Sequence, residues 1–321
     1  MKTLSFVTKL VSLLLTIVSF LFPSYVQSLD YPDKPISVVI SFSPGGPADL
    51  QARILADVAS KELKVPIIIT NKPGGGGGVA ASLVATQKPD GYTLLVTNAG
   101  TMTANFVLFS NLPYKRADFQ PLFMSNIVPV NIAVKADSPW ETLKDFVDAA
   151  KKNPGKLRSG SASAAITMVW EGLLRQEGID VTHLMYKGAA DSVVAIMGGH
   201  IDIFVDALTP IVSQVDARQI RLLAAMSSKR NKNYPDIPTL KEIGYSKFSK
   251  DFWNGFFAPT GLLDPIMKKI VHTFEKALSQ ADVQTRLEQA GVIPNFMGPK
   301  DFSKAIDEQY EFYMELSKQK K

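Results

Sequence analysis

Cysteine is absent from the 321 residues of this sequence, and histidine occurs only three times. Without cysteine the protein has no disulfide bonds, no thiolate zinc site and no thiol nucleophile. The three histidines, His183, His200 and His272, are far apart and match no metal-binding spacing such as H-E-x-x-H. A G-x-S-x-G nucleophile motif is also missing. The sequence therefore predicts a protein that is not an enzyme and has no metal or cofactor, although a Ser-His-Asp set of distant residues stays open.

Signatures of nucleotide and nucleic-acid binding are lacking too. The five glycines at residues 74–78 do not fit G-x-G-x-x-G, because the third glycine position falls on Val79, and no P-loop Gly-Lys-Ser/Thr occurs. They predict either a flexible loop that lets a helix N-terminus approach a ligand or a mobile surface connection. The net charge is +5, and the only dense run of lysines is at residues 318–321, so no nucleic-acid partner is predicted.

The N-terminus has the composition of a secretory signal. Lys2 and Lys9 precede an almost unbroken apolar run at residues 10–22, and Val26-Gln27-Ser28 offers a signal peptidase site. The run is shorter than the ~20 residues that span a bilayer. We therefore expect a signal peptide of residues 1–28, cleaved after Ser28, and export to the periplasm; an uncleaved anchor is the alternative.

The rest of the chain has the length and pattern of an α/β protein with two domains. Apolar residues make up 46% and charged residues 20% of the sequence, which is typical of globular proteins. Short apolar runs alternate with amphipathic helical segments, and this alternation predicts mostly parallel sheets. In such sheets, ligands bind beyond the carboxyl ends of the strands.

The turn at residues 41–49 is the clearest candidate for a ligand site. It follows a predicted strand at residues 36–40 and precedes a helix, with Pro47 suited to the first helical position and Asp49 to the first turn. Gly45 and Gly46 let the backbone approach a ligand closely. A strand, a glycine turn and a helix N-terminus together predict a site for an anionic oxygen. A plain tight turn is the alternative.

Two further turns share this character. Residues 98–101 and 160–165 are rich in Gly, Ser, Thr, Asn and Ala. Neither of the turns at 41–49 and 98–101 contains Lys or Arg, so an anion bound there relies on backbone amides and hydroxyls. Such contacts suffice, because hydrogen bonds to an ionised acceptor are about twice as strong as neutral ones.

An ordered set of short motifs resembles the extracytoplasmic solute receptors of the tripartite tricarboxylate transporters. The order and spacing fit along nearly the whole mature chain. The motifs are found at residues 31–36, 43–46 with Asp49, 71–75, 89–94, 186–188, 198–202, and 253–255 with Ala258-Pro259.

The resemblance implies a two-domain periplasmic binding protein fold of the Venus-flytrap type, with a ligand cleft between the domains. Domain one would comprise residues 29–129 and 252–321, and domain two residues 130–251. The implied function is capture of a small mono-, di- or tricarboxylate by a monomer that delivers it to the membrane permease subunits of such a transporter. A receptor that presents its ligand to a membrane signalling protein, or a periplasmic hydrolase, is the alternative.

The resemblance also implies which residues bind the ligand. In domain one they are Phe42, Ser43, Gly45, Gly46, Asp49, Asn98, Gly100 and Thr101, and in domain two Gly160, Ser161, Ser163, Thr167 and Asp206. Asp206 would repel a second carboxylate but accept from an amino group, a hydroxyl or a water; a helix cap is its alternative role. Arg158 either reaches a distal carboxylate or points to solvent. The sequence departs from the family where Ala162, Ala164 and Ala165 occupy a turn that is usually richer in glycine.

Overall fold

Two β-sheets of different size, between which the chain passes twice, organise the structure. The computed structural model describes residues 31–318, so the expected signal peptide at residues 1–28 lies outside the described part. From Lys34 onward the chain forms one compact unit. No helix within residues 31–318 has the length and apolar character needed to cross a membrane.

Residues 31–318 contain eleven strands and ten α-helices. The strands are, in chain order, β1 (Ile36–Ile40), β2 (Ile67–Asn71), β3 (Thr93–Asn98), β4 (Phe119–Val128), β5 (Val130–Lys135), β6 (Arg158–Ser161), β7 (Thr182–Met185), β8 (Ile203–Ala207), β9 (Ile220–Ala225), β10 (Phe252–Pro259) and β11 (Ile293–Met297). The helices are α1 (Pro47–Leu63), α2 (Gly78–Ala85), α3 (Asn105–Leu108), α4 (Leu143–Lys152), α5 (Ala164–Glu177), α6 (Ala189–Met197), α7 (Val212–Asp216), α8 (Asp264–Leu278), α9 (Ala281–Gln289) and α10 (Pro299–Lys318).

Each sheet is the centre of one lobe. The first lobe has the six-stranded order β11-β4-β10-β3-β1-β2, and the second lobe has the five-stranded order β7-β6-β8-β5-β9. The predicted α/β class and two-domain binding-protein architecture are confirmed. The chain passes from the first sheet to the second between Val128 and Val130, and it returns to the first at Phe252.

The expectation of mostly parallel sheets is wrong in its detail, because both sheets are mixed. Among the described strands, four pairings are parallel and five are antiparallel. The reason is the double passage between lobes. β4 leaves the first sheet and β10 re-enters beside it, so the two strands run in opposite directions. β5 and β9 are antiparallel neighbours in the second sheet for the same reason.

Local sequence explains where the helices near the cleft begin and end. Pro47 stands at the start of α1, where its missing N–H costs no hydrogen bond. α5 follows Ser163 in an extended conformation and ends at Gly178, which has the left-handed φ of 64° that suits glycine. α6 follows the extended Gly188.

The lobes share a continuous apolar core. Leu95 of the first lobe and Trp170 of the second belong to one cluster of buried side chains. The C-terminal helix α10 contributes Leu316 to this cluster and packs against α5, where a Cβ on Gly172 would lie 3.1 Å from Leu316 Cδ1. Packing of α10 against α5 therefore joins the two lobes.

The polyglycine segment forms a hydrogen-bonded turn. Gly74, Gly75, Gly76 and Gly77 all have positive φ, between 58° and 128°, which only glycine adopts at low cost in succession. The carbonyl oxygen of Gly76 accepts from Thr101 Oγ1 and from Asn105 Nδ2, each at 3.0 Å. These bonds fix the start of α2 against the first-lobe turn that follows β3.

Candidate functional site

A cavity lies between the lobes, at the carboxyl ends of β3, β4, β6 and β8 and the amino end of β10. The space inside it that water-sized molecules can occupy is about 40 Å³, and the empty volume including open solvent at the mouth is about 470 Å³. It is lined by Phe42, Gly46, Pro47, Ala48, Asn98 and Ala99 of the first lobe, by Ala162, Ser163, Ile166, Ala189, Asp206 and Ala207 of the second, and by Val128, Phe252, Trp253 and Asn254 where the chain crosses between them.

Five of the predicted ligand-binding residues line this cavity. They are Phe42, Gly46, Asn98, Ser163 and Asp206. The structure brings them together from four separate turns and strand ends, as the clustering of small residues after strands had suggested.

Residues from the crossing strands were missed by the sequence reasoning. Trp253 and Asn254 line the cavity because β10 inserts beside β3, so that Asn254 pairs with Asn98. No local sequence pattern identifies Trp253 and Asn254 as cavity residues, because every residue of β10 is buried. The family resemblance at residues 253–255 was the sequence signal that could have identified these cavity residues.

Three helix N-termini begin at the cavity wall. They belong to α1, α5 and α6, and none of them has a side-chain cap. Their free N–H groups and the positive ends of their dipoles favour an anion. Of the residues that the structure describes, no Lys, Arg or His lines the cavity. An anion held here therefore depends on amide and hydroxyl donors.

Asp49 supports the first turn from behind the cavity wall. Its Oδ2 accepts from the Gly45 N–H at 3.0 Å, and its Oδ1 accepts from Asn71 Nδ2 at 2.9 Å and Arg53 Nε at 3.0 Å. Burial acts to raise the pKa of Asp49, but the hydrogen bonds from Arg53, Gly45 and Asn71 outweigh it and hold the pKa below its usual value. Asp49 is thus ionised and fully engaged, and it does not line the cavity.

The lobes contact each other through small residues beside the cavity. Ser43 Oγ donates to Asp191 Oδ2 at 2.9 Å, across the cleft. A Cβ on Gly188 would lie 2.7 Å from Ser43 Cβ, and one on Gly100 would lie 2.5 Å from Ser163 Oγ. Ser43 and Gly100, both predicted as ligand contacts, therefore lie in the interface between the lobes.

Three more predicted site residues lie behind the second-lobe wall. Ser161 Oγ and Thr167 Oγ1 each lie 3.0 Å from His183 Nε2, and Gly160 is packed against the Tyr186 ring. His183 Nδ1 contacts Ser159 Oγ at 2.9 Å rather than a carboxylate, so these groups form no Ser-His-Asp set. Sequence reasoning had given His183 no role in the site.

The remaining predicted residues have structural partners. Thr101 Oγ1 donates to Gly76, and the Thr101 N–H donates to Asn98 Oδ1 at 3.1 Å. Arg158 is exposed, and its Nη2 donates to the Gly199 carbonyl at 3.0 Å. Arg158 lies at the start of β6, whereas the cavity lies beyond its end.

Asp206 is the ionisable group of the cavity wall. It is 2% exposed; its Oδ2 accepts from Ser192 Oγ at 3.0 Å, and its Oδ1 accepts from the Ala207 N–H at 2.8 Å. Burial raises its pKa to about 7. The bond to Ser192 ties β8 to α6, so Asp206 does not cap the helix that follows its own strand, which was the alternative role.

Comparison with known proteins assigns the family. The sequence profile described as "Tripartite tricarboxylate transporter family receptor" matches residues 51–320. This chain belongs to that family. The receptor is 33% identical over 293 residues to a UPF0065 protein of Cupriavidus necator, with 88% of this chain and 86% of the relative covered.

Solved structures show the same architecture. The periplasmic binding protein BugD superposes with a TM-score of 0.84 at 30% identity, over 90% of this receptor and 98% of BugD. The MatC protein of Rhodopseudomonas palustris with bound malate also gives 0.84, at 29% identity over 89% and 100% of the two chains. The receptor thus shares the fold of periplasmic solute-binding proteins.

The neighbouring glycines of the first turn separate stability from binding. Gly45 has a φ of 84° and open space around it, so Gly45→Ala should cost about 1–2 kcal/mol of unfolding free energy with little effect on affinity. Gly46 has a φ of −84°, and the extra atoms of Gly46→Val enter the cavity, so binding should fall at least tenfold with at most about 1 kcal/mol of destabilisation. Urea unfolding and calorimetric titration, with the acid that most raises the melting temperature, measure both effects. A Gly46→Val protein that binds like the parent would contradict the anchoring role of this turn.

Closure of the lobes is tested at Gly188, which does not line the cavity. Its φ is −164°, so an added Cβ meets Ser43 but strains no backbone. Gly188→Ala should hold the lobes apart and lower affinity tenfold or more, with the melting temperature of the free protein preserved. Ser43→Ala, which removes the hydrogen bond to Asp191 without adding atoms, should have a smaller effect. Small-angle scattering with saturating ligand checks the separation; an unchanged closed envelope in Gly188→Ala would refute the contact.

The buried His183 should make folding sensitive to acid. Burial lowers the pKa of His183 to about 4, from 6.5 when exposed. Between pH 6.5 and 4 the unfolded chain therefore binds a proton at His183 that the folded chain does not bind. The free energy of unfolding is unaffected above pH 6.5 and falls as the pH falls toward 4, by about 2 kcal/mol at pH 5. Urea unfolding should show that the free energy of unfolding falls between pH 7 and pH 5 by about 2 kcal/mol less in His183→Gln than in the parent. Equal losses in both proteins would contradict this.

Proposed function

We propose that this receptor captures a small organic carboxylate in the periplasm and delivers it to the membrane permease subunits of a tripartite tricarboxylate transporter. The observation that carries the proposal is the convergence of the uncapped N-termini of α1, α5 and α6 on one cavity. Such donors can hold a carboxylate without a basic side chain. The malate bound by the related MatC protein supports the same ligand class.

The export, assembly and chemistry of the receptor are part of the proposal. A signal peptide of residues 1–28 would be removed after Ser28. The mature chain would act as a monomer that binds its ligand without chemical change. Its domains would be residues 29–129 with 252–321, and residues 130–251. The passage of the chain between the sheets next to Pro129 and at Phe252 supports these boundaries.

We further propose distinct roles for the candidate site residues. Phe42, Gly46, Asn98, Ser163 and Asp206 would contact the ligand, since they line the cavity. The others would act through their partners: Ser43 and Gly100 in closure, Gly45, Asp49 and Thr101 in holding the first-lobe turns, and Gly160, Ser161 and Thr167 in holding the second-lobe turn.

A thermal-shift screen tests ligand class directly. Organic acids should raise the melting temperature, because a ligand selective for the folded state stabilises it, whereas sugars and nucleotides should not. NMR of the strongest hit after prolonged incubation should show the acid unchanged, and intact mass of periplasmic material should show loss of residues 1–28. Hits confined to sugars or nucleotides would overturn the proposed ligand class. Co-purification of the liganded receptor with its permease, rather than with a sensor kinase, tests delivery.

A further inference from the structure

The cavity wall has one ionisable side chain and no compensating cation. Asn98, Ser163, Asp206 and Asn254 are its polar side chains among the described residues. The other side chains are small or apolar. The charge of Asp206 is therefore the dominant electrostatic feature that a ligand meets apart from the helix N-termini.

Asp206 is held in a fixed orientation. Three donors of the second lobe reach its carboxyl group, namely Ser192 Oγ, the Ala207 N–H and the Ala162 N–H. A carboxylate offers about four acceptor positions. The three protein donors leave one of them unused, and Asp206 is part of the cavity wall. The same bonds hold the carboxyl group in one orientation.

A buried amide donor lies on the part of the wall that β10 forms. Asn254 on β10 is 2% exposed, and its Nδ2 has no hydrogen-bond partner within the protein. It lies beside Asn98 at the strand ends, close to the N-terminus of α1 in the lining. A buried donor without a partner is costly, and a ligand carboxylate is a strong acceptor for it. The cavity wall therefore has an unpartnered amide donor on β10 in addition to the helix N-termini, and a carboxyl acceptor on β8.

We propose that Asp206 is a specificity-determining residue that selects an acid with one carboxylate and a hydroxyl or amino donor, and rejects a second carboxylate. A hydroxyl or ammonium group donates to the remaining acceptor position of Asp206. Above its pKa of about 7 Asp206 is ionised, so a second carboxylate placed there meets a like charge in a buried site. This inference rests on the proposed function and narrows its ligand class. It also predicts a preference different from that of a receptor that takes a dicarboxylate such as malate.

A matched series of four-carbon acids tests the proposal. Malate carries two carboxylates and a hydroxyl; 2-hydroxybutanoate and 3-hydroxybutanoate each replace one carboxylate by a methyl group. 3-Aminobutanoate, succinate and butanoate complete the set. Titration calorimetry is performed at pH 8.5, above the pKa of about 7 of the Asp206 carboxyl group. The best hydroxy or amino monocarboxylate should bind about tenfold or more tighter than butanoate, and tighter still than succinate or malate.

Variants assign this selectivity to Asp206. Asp206→Asn should weaken the hydroxy or amino acid about tenfold and strengthen succinate and malate by a similar factor, reversing the order. Asp191→Asn is the matched control, an acid-to-amide change outside the cavity lining, and it should alter all affinities by the same factor without changing their ratio. The series on the parent protein is decisive by itself if Asp206→Asn does not fold.

The outcomes separate this inference from the function on which it rests. Succinate or malate binding as tightly as the hydroxybutanoates to the parent protein overturns the role of Asp206 and leaves carboxylate capture intact. An unchanged ligand order in folded Asp206→Asn does the same. Failure of every acid in the series to bind at millimolar concentration, together with hits among sugars or nucleotides, overturns the proposed function and this inference with it.

Discussion

The close approach of the two lobes at Gly100 and Gly188 is the constraint on which the site depends. Each glycine belongs to one lobe and contacts the other lobe at a distance that leaves no room for a Cβ. The cavity wall is assembled from both lobes, so its volume and the convergence of its donors exist only at this separation. The small residues after the strands thus allow the two lobes to come close together, as well as allowing the backbone to approach a ligand.

In the proposed function, neutral donors would couple anion binding to that closure. In water, a hydrogen bond from an amide or hydroxyl donor to an anion contributes little net free energy. The same bond is stronger when closure removes the solvent. The protein places its own first-lobe carboxylate, Asp49, behind the turn and neutralises it with Arg53. Asp206 is not neutralised in this way, although it has hydrogen bonds from three donors. The field in the cavity is therefore set by the helix N-termini and Asp206.

Sequence alone identified the turns and missed the long-range neighbours. The turns were predictable because Pro47, the glycines and the polar residues act locally on backbone conformation. Within the first turn Gly45 has the positive φ that favours glycine, whereas Gly46 is extended. Which hydroxyls face the cavity was not predictable, because Ser161 is directed by contact with His183 on a different strand. Asn254 was missed because the position of β10 in the sheet depends on pairing between residues more than a hundred positions apart.

The alanines of the second-lobe turn are explained by the same approach of the lobes. Where two turns make a close contact, a glycine is needed on only one of them. Gly100 supplies that space, and a Cβ built there would lie 3.1 Å from the backbone nitrogens of Ala164 and Ala165. Alanine also favours helix formation more than glycine does, which stabilises the first turn of α5. Alanine in this turn therefore keeps the close contact and gives a better-formed helix N-terminus on the second-lobe side of the cavity.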